Sequence, residues 1–217
     1  DLNTVEAGTA GGRILFEIHK MGFTSLHGYD FVENFISEAK RRNSDNSISF
    51  TVQDASNLNY SNDFFDQAIY LQQIISSIED PMKRVNSIHE AYRILKKGGT
   101  ILFSFLSFDS KEKSLLSKML FLYLFFLRMF VQKKISIQYL PWFKHAGKPN
   151  WNSLQDKDPY NYWFKSSEIQ KLLEEIGFLV IAVGYKKHIL GNCMHTSFET
   201  LNVDKSDGHI YFVFKKP

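Results

Sequence analysis

A chain of 217 residues, 44% hydrophobic and 23% charged, has the make-up of an ordinary globular protein, which argues against disorder and leaves room for one domain with a real core. The formal net charge of +3 is mildly basic and no dense Lys/Arg cluster stands out, so a nucleic-acid partner is not expected. The runs Lys40-Arg41-Arg42 and Lys133-Lys134 read as solvated surface.

The first hundred residues alternate short β-type runs with helical runs, the pattern of βαβ units and a parallel sheet. Asn3 to Ala7 reads as a first strand and ends in the turn Gly8-Thr9-Ala10-Gly11-Gly12. A helix from Gly12 to Lys20 follows, with Ile14, Leu15 and Ile18 at helical spacing, and Met21-Gly22-Phe23 stops it. Ser25 to Tyr29 is a second strand ending at Asp30. Phe31 to Arg42 is a helix with Val32, Phe35, Ile36 and Ala39 on one face. Ile48 to Gln53 alternates as a third strand and ends at Asp54, and Phe65 to Leu71 is a fourth. Pro81 to Lys96 is a helix with Val85, Ile88, Ala91, Tyr92 and Leu95 inward. Lys97-Gly98-Gly99 turns into a fifth strand, Thr100 to Leu106. The alternation then breaks: residues 107–163 hold an apolar run and the aromatics Trp142, Trp151, Tyr160, Tyr162 and Trp163. A helix from Ser166 to Ile176, stopped by Gly177, precedes a sixth strand, Phe178 to Tyr185. After a loop comes a last strand, His209 to Lys215, expected to form a hairpin with the sixth.

The single cysteine, Cys193, forms no intramolecular disulfide, which suits a reducing, cytoplasmic setting. It has no Cys or His partner at ligand spacing, so no metal is expected. The chain opens at Asp1, directly in strand-like sequence, so an upstream segment is expected. The longest near-continuous apolar run, Met119 to Val131, is shorter than the roughly 20 residues that span a bilayer.

A strand that ends in a glycine loop opening a helix is a ligand-binding turn, because glycines admit a ligand to the backbone and the helix start offers N–H donors. A dinucleotide fingerprint would need Gly at 8, 10 and 13, and this chain has Gly8, Ala10 and Arg13. The segment Val5 to Arg13 instead resembles the first motif of the class I S-adenosylmethionine-dependent methyltransferases, an acidic residue followed by glycines two, four and six positions later. Glu6, Gly8 and Gly12 match, with Thr9 between them and Ala10 at the middle glycine. The resemblance implies that Asp30, 24 residues after Glu6, takes the ribose hydroxyls, with Phe31 beside it. It implies that Asp54 accepts from the adenine amino group while the Ala55 N–H meets the ring, and that Leu71 and Gln72 lie under the methionine part. Ile88 to Gly99 is similar to the family's helix and turn before strand five. Read alone, the loop is also a plain strand-to-helix turn, Asp30 a helix cap and Asp54 a turn residue.

The resemblance implies a Rossmann-like, seven-stranded, mainly parallel α/β sheet with an antiparallel last strand and helices on both faces. Residues 1–217 would form a single domain. Its parts are a cofactor half at 1–106, an inserted acceptor or lid segment at 107–163, and a C-terminal helix and strands at 164–217. The implied reaction moves a methyl group from S-adenosylmethionine to O, N or C of a small molecule, leaving S-adenosylhomocysteine. Asp66-Gln67-Ala68-Ile69 stands where enzymes that methylate amide or exocyclic nitrogens carry Asn-Pro-Pro-aromatic, which favours small-molecule acceptors. A catalytically inactive scaffold of the same fold and an RNA or protein methyltransferase are the alternatives. His145, His188 and His195 are candidate bases, each more often structural, and none is assigned as catalytic. Leu115 to Val131 is apolar nearly all round and is expected to be buried under a lid, in a homodimer or against lipid. Lid or core packing is favoured, then contact with an apolar or aromatic acceptor, and a membrane surface last.

Overall fold

The computed structural model describes residues 2–145, 147–198, 200–201 and 208–217, with the side chains of Lys144 and His145 outside the described set. Strands β1 (Thr4–Ala7), β2 (Leu26–Asp30), β3 (Ile48–Val52) and β4 (Phe65–Tyr70) alternate with helices α1 (Arg13–Lys20), α2 (Glu33–Arg42) and α3 (Pro81–Ile94), α3 lying between β4 and β5 (Leu95–Leu106). Then come α4 (Phe108–Glu112), α5 (Leu115–Phe130), the short strands β6 (Tyr139–Pro141), β7 (Lys144–His145), β8 (Lys148–Pro149) and β9 (Tyr160–Tyr162), α6 (Ser166–Ile176), β10 (Leu179–Gly184), α7 (Lys186–Leu190) and β11 (His209–Lys215). The main sheet has seven strands in the order β10-β11-β5-β4-β1-β2-β3. β1 pairs parallel with β2 on one side and β4 on the other, so the strand order reverses there and a crevice opens at their C-terminal ends. β11 runs antiparallel between β5 and β10, as the hairpin expectation required.

Local chemistry explains most boundaries. All four residues of β1 are buried, as a central strand covered on both faces demands. Asp80 caps α3 by accepting from the Met82 and Lys83 amides at 2.8 and 3.0 Å, and Pro81 fills the first helical position. Gly177, at φ 109°, ends α6 where a side chain would be strained. Ile210, Phe212 and Phe214 of β11 alternate into one core with Phe103, Phe105, Phe164 and Phe178.

Four expectations are corrected. α2 starts at Glu33, because the Asp30 carboxylate accepts the Val32 amide and holds residues 31 and 32 out of the helix; Phe31, Val32 and Phe35 are exposed. β5 begins at Leu95 and absorbs Lys97-Gly98-Gly99 as an irregularity opposite Asp66. The expected loop after β10 contains α7. The expected helix from Leu115 to Val131 forms as α5, ending at Phe130, but it is not buried: of α5 only Leu124 and Arg128 are.

A buried guanidinium joins the insertion to α3. Arg84 of α3 donates to the Ile78 carbonyl and the Tyr139 hydroxyl and stacks 3.9 Å from the Tyr162 ring centre. Within the insertion, Arg128 makes a paired bond to Asp156, both contacts 2.8 Å, and donates to the Ser136 and Tyr139 carbonyls. Lys133 is half-buried and donates to the Asp156 carbonyl at 2.6 Å, so it is not the solvated lysine its sequence suggests.

Candidate functional site

The glycine loop leaves β1 and reaches α1 in five residues, a path that needs left-handed backbone at Gly8 (φ 62°), Ala10 (φ 46°) and Gly12 (φ 78°). A Cβ on Gly8 would stand 2.0 Å from the Ile74 Cδ1, and one on Gly12 would stand 2.7 Å from the Phe50 ring. Gly8 thus makes room for the chain that leaves β4, and Gly12 for the β3 core. Ala10 accepts the left-handed conformation with a methyl group in place, at a strain cost of roughly 1–2 kcal/mol.

The expected site residues converge on this loop. Thr9 donates its hydroxyl to Glu6 at 2.7 Å and its amide to the Tyr29 carbonyl at 3.0 Å. Asp30, almost fully buried at the end of β2, accepts the Ala10 amide on one oxygen and the Val32 amide on the other, both at 2.9 Å. Each carboxylate oxygen keeps a lone pair for another donor. Asp30 is therefore both a loop brace and an acceptor at the crevice. Glu6 is buried with no salt bridge among the described residues, and desolvation pushes its carboxyl up to about 7 against the pull of the Thr9 hydroxyl and the charge of Arg13.

Asp54 lies past the end of β3, half exposed, accepting from the amide and hydroxyl of Ser56 and pairing with Lys83 at 3.1 Å. The Ser56 amide is the main reason its carboxyl lies below the usual range. Ala55 is half-buried against the core. Phe31 is 74% exposed and Val52 49%, and Val52 pairs in register with Asp30. Two apolar side chains thus stand open beside Asp30, and no described residue covers them. Beneath them the Tyr29 and Tyr70 hydroxyls bond at 2.7 Å and tie β2 to β4 across β1. Leu71 is half-buried and Gln72 exposed, with Gln72 and Gln73 both at positive φ, so the chain doubles back directly after β4.

Three features carried no sequence signal. Arg42, expected as free surface, donates to the Gly11 carbonyl at 2.8 Å and lies 5.1 Å over the Phe16 ring, bracing the loop from α2. A cavity of about 510 Å³ opens past the end of β4 between Gln72, Gln73, Leu120, Trp142, Phe143 and Trp163. Lys111 also lines it, with its ammonium 4.6 Å from the Trp163 ring, and burial lowers its pKa. These residues come from the turn after β4, from α4 and α5 and from the rest of the insertion, so only folding assembles them. Of the candidate bases, His188 is buried with Nδ1 accepting the Tyr185 amide, and His195 bonds Thr200; neither lines the cavity. The His145 side chain lies outside the described residues.

The family profile of a methyltransferase domain matches residues 5–99, the span that holds the loop, Asp30 and Asp54. No protein of curated function matches the sequence significantly. Among solved structures, the fold is similar to a S-adenosylmethionine-dependent methyltransferase from Methanosarcina mazei. The identity is 18%, all of this chain and 92% of the other are covered, and the TM-score is 0.72. It is also similar to such proteins from Mesorhizobium loti (16% identity, 99% and 90% covered, TM-score 0.62) and Clostridium acetobutylicum (14%, 98% and 82%, TM-score 0.61).

Proposed function

We propose that this chain, a class I S-adenosylmethionine-dependent methyltransferase by fold with the methyltransferase domain at residues 5–99, transfers a methyl group to a small apolar or aromatic acceptor. The observation that carries the acceptor class is the cavity beyond β4. At about 510 Å³ and walled by Leu120, Trp142, Phe143 and Trp163, it has the size and lining of a small-molecule pocket.

The cofactor of this family is S-adenosylmethionine, and the residues present fit it. Asp30 offers open lone pairs beside the loop for paired hydroxyls, exposed Phe31 and Val52 offer an apolar platform for a flat ring, and Glu6 is a buried carboxyl whose ionised form a bound cation would favour. In this reading Thr9, Ala10 and Gly12 shape the loop, Asp54 with Ala55 closes the ring's edge, and Leu71 and Gln72 face the methionine part. The cofactor supplies an electrophilic methyl on a sulfonium. The protein's task is then alignment, which contributes roughly 7–11 kcal/mol when two reactants are held in line. Lys111 is the titratable side chain that lines the cavity, and its ammonium can pair with an acceptor that arrives as an anion. The free, exposed thiol of Cys193 agrees with a cytoplasmic setting.

The test has two steps. Calorimetry with S-adenosylhomocysteine should show one binding site that Asp30→Ala weakens. Incubation with S-adenosylmethionine and a panel of aromatic and apolar phenols, amines and acids should then release S-adenosylhomocysteine with some acceptor. Binding without release on any class would favour a non-catalytic scaffold, and release with RNA or protein alone would overturn the small-molecule reading.

A further inference from the structure

We infer that α5 seats this protein on an anionic lipid surface, its outward apolar face at the boundary of headgroups and acyl chains. The helix is apolar on both its faces. A helix on a protein in water turns its apolar stripe inward and its charges outward. In α5 the inward stripe is Ser117, Leu120, Phe121, Leu124, Leu127 and Arg128, and its most buried polar member, Arg128, is spent on Asp156. The outward residues are instead large and apolar: Leu116 is 78% exposed and Phe130 79%, with Leu115, Met119, Leu122, Phe125, Phe126 and Met129 exposed between them. Lys118 is the single exposed charge on the helix. So wide an apolar surface calls for an apolar phase. A 3-10 turn, Trp151–Gln155, extends it, since Tyr123 bonds the Leu154 carbonyl while Leu154 and Trp151 are themselves exposed.

Charge selects the occupant. Residues 113–155 carry seven Lys and Arg and no Asp or Glu, leaving 19 of the 26 basic residues against all 23 acidic ones in the rest of the chain. The whole-chain charge of +3 hides this division. Arg128 and Lys133 turn inward to Asp156, but Lys113, Lys118 and Lys134, on the helix or next to it, are exposed. A second copy packed on this face would bring two such positive belts together, whereas an anionic bilayer neutralises them. Sixteen residues of helix extend about 24 Å, less than a hydrocarbon core of about 30 Å, and no described helix is long and apolar enough to cross a membrane. The fitting geometry is a helix lying in the interface. A further apolar groove under Leu116, Met119 and Tyr123 shares Lys111, Ser117, Leu120 and Phe143 with the cavity beyond β4. An acceptor dissolved in the lipid would therefore meet the cavity from this side; that consequence rests on the methyl-transfer reading, and the docking does not.

The test uses the chain without cofactor or acceptor, so a failed activity leaves it intact. Wild-type protein should co-sediment with phosphatidylcholine–phosphatidylserine vesicles and far less with phosphatidylcholine alone. Leu122→Asp combined with Phe126→Asp should lose that binding roughly tenfold or more. Lys113→Glu with Lys118→Glu and Lys134→Glu should lose the preference for phosphatidylserine, at roughly fivefold per lysine. Brominated acyl chains should quench the tryptophan fluorescence of the unaltered protein through Trp151, a readout that needs no variant to fold. Wild-type protein left in the supernatant with both vesicle types, absent quenching, or an unaffected aspartate pair would each overturn the inference. So would a lipid-free dimer that the aspartate pair converts to monomer, which would assign the face to a second copy.

Discussion

Glu6→Gln is the perturbation with the clearest sign. The folded protein holds the Glu6 proton up to about pH 7, against the usual 4.5, because burial beside Thr9 removes water from the carboxylate. The folded state therefore binds the proton more tightly than the unfolded chain does. The group costs nothing below pH 4.5, the cost grows as pH rises from 4.5 to about 7, and it stays constant above. A shift of about 2.5 units corresponds to about 3 kcal/mol at pH 8 and under about 1 kcal/mol at pH 5. Glutamine keeps an oxygen for the Thr9 hydroxyl and abolishes the titration. Relative to wild type, Glu6→Gln should gain about 2–3 kcal/mol more at pH 8 than at pH 5, worth roughly 5–10 °C of melting temperature in a chain of this size. Urea unfolding of both proteins at the two pH values measures it. S-adenosylmethionine, a cation, should favour ionised Glu6, so the stabilised variant should bind it less well at pH 8. A variant whose stability tracks wild type at both pH values would refute the reasoning.

Asp30→Ala should weaken S-adenosylhomocysteine binding by roughly 1.5–3 kcal/mol through loss of a charged acceptor, read by calorimetry; unchanged affinity in a folded protein would remove Asp30 from the site. Arg128→Ala leaves Asp156 buried with Lys133 3.6 Å away, and should destabilise the insertion by about 3 kcal/mol. Hydrogen exchange should show the loss at residues 115–141 and spare β1–β4. Gly12→Ala puts a methyl group at φ 78° and 2.7 Å from Phe50, and should cost at least about 1–2 kcal/mol in a melting experiment. Trp163→Ala should raise the acceptor KM while leaving cofactor affinity unchanged, since Trp163 lines the cavity and not the loop.

The order of the elements was legible because short-range patterns write it. Alternating apolar residues in 48–52, the Pro81 start of α3 and the Gly177 stop of α6 are local rules, and the chain obeys them. The strand-end acids Asp30 and Asp54 were legible for the same reason, being a fixed distance from elements that sequence patterning reveals. The start of α2 was misplaced because a side chain, Asp30, outbid helix propensity at Phe31 and Val32 through the Val32 amide.

The insertion lacked such rules. Leu115 to Val131 declares a helix from its own composition, but the direction its apolar face takes depends on which partner arrives. Arg128 is drawn inward by Asp156, 28 residues on, and the turn of the helix then sends Leu116, Leu122, Phe126 and Phe130 outward. Arg42 on the loop, Arg84 in its aromatic box and Lys111 in the cavity are likewise joined to partners more than 25 residues away. What the sequence by itself determined is what neighbours within a few residues can set: helix and strand periods, caps, glycine turns and the order of strand ends around the glycine loop. What only the tertiary structure decided is which long side chains meet across the fold, because a guanidinium or a lysine has no period of its own and takes its place from the charge, carbonyl or ring that folding delivers to it.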